Sequence, residues 1–151
     1  MKMLLMTVLL LLPVFAFAQG THKPVLTLEE AKRMADAAEA KAKQENWNVV
    51  IAILDEGGHL ILLRKMDGVQ LGSIEIAQNK AKTAVYYRRA TKVFEDQVNQ
   101  GNTRPLTMPN VFASEGGVPI LKDGIVVGAI GVSGVTSAQD GIVAAAGLGV
   151  L

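Results

Sequence analysis

"VVIAILDEGGHLILLRKMDG", residues 49–68, is the stretch whose reading decides the fold. Val49 to Leu54 is an unbroken β-branched and aliphatic run, the pattern of a strand covered on both faces. Asp55-Glu56-Gly57-Gly58 supplies turn chemistry, and His59 to Met66 returns as a second strand that Asp67-Gly68 ends. Further along, Val118 to Leu121 and Ile125 to Ser133 flank Lys122-Asp123-Gly124, the signal of a second hairpin. Between a loop with two prolines (residues 101–110) and the Glu115-Gly116-Gly117 turn, Val111 to Ser114 reads as a further short strand.

Helices fill the intervals. Thr27-Leu28-Glu29-Glu30 is a capping box, and Leu28, Ala31, Met34, Ala35, Ala38 and Ala42 then recur at helical spacing as far as about Gln44. A second helix is expected from Ser73 to Arg89, with Ile74, Ala77, Ala81, Ala84 and Val85 on one face. Thr91 reads as the N-cap of a short helix holding Val93, Phe94 and Val98, stopped by Gly101. An apolar helix closes the chain from Ser137 to about Leu148. The order α-β-β-α-α-β-β-β-α predicts an α+β domain, helices packed on a mainly antiparallel sheet.

Residues 1–18 differ from the rest. Lys2 precedes a run from Leu4 to Val14 that is apolar apart from Thr7, and Ala16-Phe17-Ala18 offers the small-x-small pattern of a signal-peptidase site. The run is shorter than the ~20 residues a membrane-spanning helix needs. The expectation is a cleaved export signal at 1–18, an arm at 19–26 and one domain at 27–151, with a periplasmic or secreted destination and no lasting membrane anchor. Of the 15 Lys and Arg, only Lys2 lies in the signal, so the rest balances the 14 Asp and Glu. A neutral domain has no field to draw nucleic acid. The absence of cysteine excludes disulfides and thiolate chemistry.

His22 lies in the arm, where imidazoles are usually solvated. His59 follows two glycines at the head of a strand, where it can ligate iron or another metal, act as a base, or simply bond Asp55 across the turn. No second ligand stands at metal-site spacing from it, which argues against structural zinc. "GVSGV" (131–135) lacks the spacing of a nucleophile elbow. Gly128, Gly131 and Gly134 stand three apart, unlike a dinucleotide fingerprint, and fit close strand–helix approach better than phosphate binding. Lys80, Arg88 and Lys92 gather cations along "KAKTAVYYRRATK" (80–92), a solvated face or a surface for carboxylates.

Three stretches in fixed order, "LDEGGHLILLRKMDG" (54–68), "IAQNKAKTA" (76–84) and "GGVPILKDGIVVGAIGVSGVTSAQD" (116–140), closely resemble the GlcG/HbpS-like haem-binding (haem-degrading) domain family. The resemblance spans about Thr27 to Leu148. It implies a profilin-like fold with a five-stranded antiparallel sheet, a homo-oligomer, and haem or a related tetrapyrrole as ligand in some members. Thr91 aligns with a hydroxyl residue beside the haem of a secreted member, and Lys65 stands where arginine is common. The expected function is therefore an exported haem-binding protein in iron or haem sensing, storage or slow haem degradation. Haem would lie in a groove between subunits, lined by alanine, valine and Met108 or Phe112, its propionates against Lys80, Arg88 or Arg104 and its iron against His59 or Thr91. The alternatives are an enzyme or accessory factor acting on a small organic acid held by Arg64, His59 and Asp67, and an oligomeric structural domain without a ligand.

Overall fold

The computed structural model describes residues 23–151; the expected export signal, most of the arm and His22 lie outside the described residues. The elements run α1 (Leu28–Gln44), β1 (Val50–Asp55), β2 (Leu60–Lys65), α2 (Ser73–Tyr87), α3 (Lys92–Asn99), a 3-10 turn (Arg104–Thr107), β3 (Gly117–Lys122), β4 (Ile125–Ser133) and α4 (Ser137–Leu148). Among the described residues the sheet has four strands in the order β2-β1-β4-β3, and each neighbouring pair is antiparallel. Two hairpins thus meet along β1 and β4, pairing Val50 with Ser133 through to Asp55 with Gly128.

Among the described residues the expected fifth strand at Val111 to Ser114 does not form, so the five-stranded expectation is corrected to four. Val111 to Ser114 has strand composition, but its backbone is claimed by side chains of α2 and α3. The Thr83 hydroxyl accepts from the Phe112 amide at 2.8 Å and lies 2.9 Å from the Asn110 carbonyl oxygen. Glu95 accepts from the Glu115 amide, and Asn110 turns the chain at φ 59°. Backbone groups satisfied in this way have no need of a ladder.

Side-chain alternation divides β1 between two helical layers. Val49, Ile51 and Ile53 join Ile130, Val132, Met34, Ala38 and Val143 beneath α1 and α4. Val50 and Ala52 meet Ala77, and Leu54 with Ala129 meets Ala81 and Ala84, beneath α2. The α2 side is built of small residues because the helix lies very close. A Cβ on Gly131 would overlap the Ala77 carbonyl oxygen, so glycine there admits α2 to the sheet. α1 begins with the expected box, Thr27 Oγ1 accepting from the Glu30 amide and Glu30 from the Thr27 amide at 2.8 Å. α4 opens with a second box, Thr136 with Gln139. Lys122 of β3 reaches the Glu30 carboxylate at 2.6 Å and ties the sheet edge to the start of α1.

Candidate functional site

The irregular stretch from Pro109 to Ser114 crosses α2 instead of extending the sheet, and depressions open on both sides of it. On one side, a cleft of about 820 Å³ lies between the C-terminal end of α2 and the β3–β4 hairpin. Its walls include Val85, Tyr86, Tyr87, Leu121 and Ile125, with Arg88 and Lys23 as cations and Glu56 from the β1–β2 turn. Tyr86, Leu121 and Ile125 are large apolar side chains left 46%, 51% and 45% exposed around one concavity, the usual mark of a surface that receives something.

Local structure explains how the cleft is shaped. Arg88 caps α2 in the left-handed conformation (φ 52°, ψ 40°), a place normally given to Gly or Asn. Tyr87 donates from its hydroxyl to the Pro109 carbonyl at 2.6 Å and so pins the loop to the helix end. The Tyr86 ring packs on Gly58, where a Cβ would come within 2.6 Å of the ring, and the Lys82 ammonium sits 5.4 Å from its centroid.

His59 ends that same turn but does not line the cleft. Its side chain is 83% exposed, with Nδ1 3.3 Å from the Asp55 carboxylate. Asp55 also accepts from the Gly57 and His59 amides, both at 2.9 Å. Burial pushes the Asp55 carboxyl upward, but those amides and the imidazole outweigh it and hold it below its ordinary value. An imidazole bonded through Nδ1 to a carboxylate presents Nε2 outward, the arrangement of ligating histidines. Among the described residues no cluster of three or more His, Asp or Glu side chains is placed to hold a metal ion by itself.

On the other side of the crossing stretch, a pocket of about 470 Å³ has Lys80 and Asp140 in its wall beside Ile76, Leu106, Phe112 and Ser137. The two charges are 2.6 Å apart and each is only 2% exposed. Asp140 Oδ1 accepts from the Val135 amide at 3.2 Å. Burial raises the Asp140 carboxyl above its ordinary value, against the opposing pull of Lys80 and the Val135 and Gly134 amides.

The model describing "Haem degrading protein HbpS-like" matches residues 26–149. The chain belongs to that HbpS-like family. It is 44% identical over 111 residues to Protein GlcG of Escherichia coli (strain K12), covering 74% of this chain and 83% of GlcG. Among solved structures it resembles a double mutant of Streptomyces reticuli HbpS, with a TM-score of 0.78 at 31% identity, covering 93% of this chain and 97% of the other. It also resembles a PduOC:heme complex, with a TM-score of 0.77 at 29% identity, covering 85% and 96% respectively.

In this HbpS-like chain the residues expected to form one groove are dispersed. Arg88 lines the larger cleft, while Lys80 and Phe112 line the smaller pocket. Arg104 is exposed and Met108 half-buried on the 3-10 turn. Thr91 is fully buried, its hydroxyl accepting from the Gly117 amide at 2.9 Å, which removes it as an iron ligand in this arrangement. Arg64 already bonds Asp36 at 2.6 Å and Glu39 at 2.8 Å, so the organic-acid alternative loses its anchoring cation. The residues that sequence reasoning missed are Leu121, Ile125 and Lys23. Leu121 and Ile125 flank the Lys122-Asp123-Gly124 turn, and an apolar pair at a hairpin tip was the available signal.

Proposed function

We propose that this chain binds haem or a closely related tetrapyrrole in the cleft beneath Tyr86, Leu121 and Ile125. The observation that carries the reading is the composition of that cleft: exposed aromatic and aliphatic walls with the cation Arg88 and the Lys23–Glu56 pair beside them. A flat apolar ring bearing carboxylates needs those two features together. Membership of a family described as haem-degrading, and likeness to a heme complex, support the same reading.

Bound haem would supply a redox-active iron. The protein's part is to shield the ring with Val85, Tyr86, Leu121 and Ile125 and to hold a propionate with Arg88, Lys23 being paired with Glu56 at 3.3 Å. His59, its Nδ1 3.3 Å from Asp55, would ligate the iron from the β1–β2 turn, outside the cleft's own lining. With this reading go export directed by residues 1–18, a role in haem sensing, storage or slow breakdown, and a homo-oligomer. The edge strand β2, with Leu60 and Leu63 exposed, supports self-association.

Hemin titration of the purified protein tests the reading. The expected result is a saturable, displaced Soret band that His59→Ala shifts or weakens. A spectrum identical to free hemin at every ratio overturns it.

A further inference from the structure

The pocket on the far side of the crossing stretch has a chemistry that haem binding does not use. Lys80 and Asp140 are buried at its wall, the two charged side chains among the described residues that are buried in a mainly aliphatic core. A buried ion pair is seldom the most stable filling for such a site, so its presence asks for a use. The backbone makes room for it. A Cβ on Gly116 would lie 2.8 Å from Asp140 Cβ and 3.0 Å from Lys80 Nζ, and Gly116 itself adopts φ 125°.

The hydrogen-bond inventory selects the ligand. Lys80 carries three protons, and among the described residues its one side-chain hydrogen bond goes to Asp140. Asp140 is committed through both oxygens, to Lys80 and to the Val135 amide. Ser137 donates to Glu95, and Ser133 is bonded to Ser73. The pocket therefore offers unused N–H donors on Lys80, with Gln70 and Ser114 as further polar groups in the wall. Lys80 and Asp140 cancel in charge, so no net field favours an anion. A neutral ligand with a carbonyl oxygen for Lys80 and a short aliphatic chain for Leu106, Val111 and Phe112 fits these groups.

We propose that this pocket binds a short aliphatic aldehyde and that Lys80 forms a reversible imine with it. Asp140 first takes a proton from the Lys80 ammonium across their hydrogen bond. The freed Nζ lone pair attacks the carbonyl carbon; a C–N bond forms as the C–O π bond opens, and a proton passes from nitrogen to that oxygen. Asp140 returns its proton to the resulting hydroxyl, the C–O bond breaks, and water leaves. The product is a protonated imine on Lys80 facing the Asp140 carboxylate. No electrons are exchanged with any other reagent. The charge pair present at the start is present at the end, so the pocket need not solvate a new charge. Burial that raises Asp140's affinity for a proton helps the first transfer.

The test is reductive trapping of the folded protein with sub-stoichiometric butanal and cyanoborohydride, followed by peptide mapping by mass spectrometry. Lys80 is expected to carry the butyl group in at least about tenfold preference over the exposed Lys32 and Lys43, a modest share of the advantage that fixed geometry confers. The preference should vanish in urea, and Lys80→Arg, which keeps a cation opposite Asp140, should lose the labelled peptide. Labelling of Lys32 and Lys43 with Lys80 spared in the folded protein overturns the proposal, as does a Lys80 preference that survives unfolding. Hemin is absent throughout, so failure here leaves the tetrapyrrole reading standing, and the converse holds.

Discussion

Replacing Lys80 by methionine leaves the buried Asp140 carboxylate without its cation. The gross attraction between charges 2.6 Å apart is about 6 kcal/mol at an effective dielectric near 20, and the measured cost of breaking such buried pairs is about 3–5 kcal/mol. Against a total stability of about 5–15 kcal/mol, that is a large fraction. Adding Asp140→Asn should recover most of the loss, because the amide oxygen still accepts from Val135 and no charge remains buried. The single variant also has a distinctive pH dependence. Burial already raises the Asp140 carboxyl, and removing the ammonium that opposes this raises it further. A group whose folded pKa lies above its unfolded one favours folding below the unfolded value and loses that contribution as pH rises through the folded value. The deficit of Lys80→Met is therefore largest near neutrality and shrinks toward about pH 4. Urea titration followed by Trp47, the chain's only tryptophan, which packs against the main core, reads all of this. A loss below about 1 kcal/mol, or a double variant as unstable as the single one, refutes the reasoning.

Other perturbations probe other joints. Gly131→Ala sets a methyl against the Ala77 carbonyl and Ala81; overpacking of this kind should cost about 1–3 kcal/mol or more in the same titration, and an unchanged midpoint would mean that α2 does not lie so close. Thr91→Val leaves the buried Gly117 amide without its acceptor and should cost about 1–3 kcal/mol, with Thr91→Ser retaining most of the stability. Glu30 is held at about 2, chiefly by its bond from Lys122 and then by the Thr27 amide. Its contribution is complete above the ordinary carboxylate value and fades as pH falls toward 2, so Lys122→Met should flatten the acid limb of the stability profile; an unaltered limb would contradict the assignment.

Much of this architecture was legible in the chain because local signals and burial agreed. The 49–54 run is buried on both faces as its composition implied, and the Thr27 and Glu30 pair caps α1. The missing fifth strand was not legible. Val111 to Ser114 looks extended and apolar, but its partner is the Thr83 hydroxyl on a distant helix, and no periodicity announces a side chain that stands in for a strand. The site was harder for the same reason. Lys80 and Arg88, eight residues apart on one helix, suggested one cationic face. The αL cap at Arg88 and the loop pinned by Tyr87 instead send them to separate concavities. Lys80 looked solvated because its partner, Asp140, lies sixty positions away, where only the tertiary fold brings it near.

The most direct test of where a tetrapyrrole sits is amide chemical-shift mapping of the 15N-labelled protein with diamagnetic gallium protoporphyrin. The account predicts saturable perturbations concentrated at residues 56–59, 85–88 and 121–126. Perturbations centred instead on residues 111–114 and 133–140, or none at saturating ligand, would contradict it.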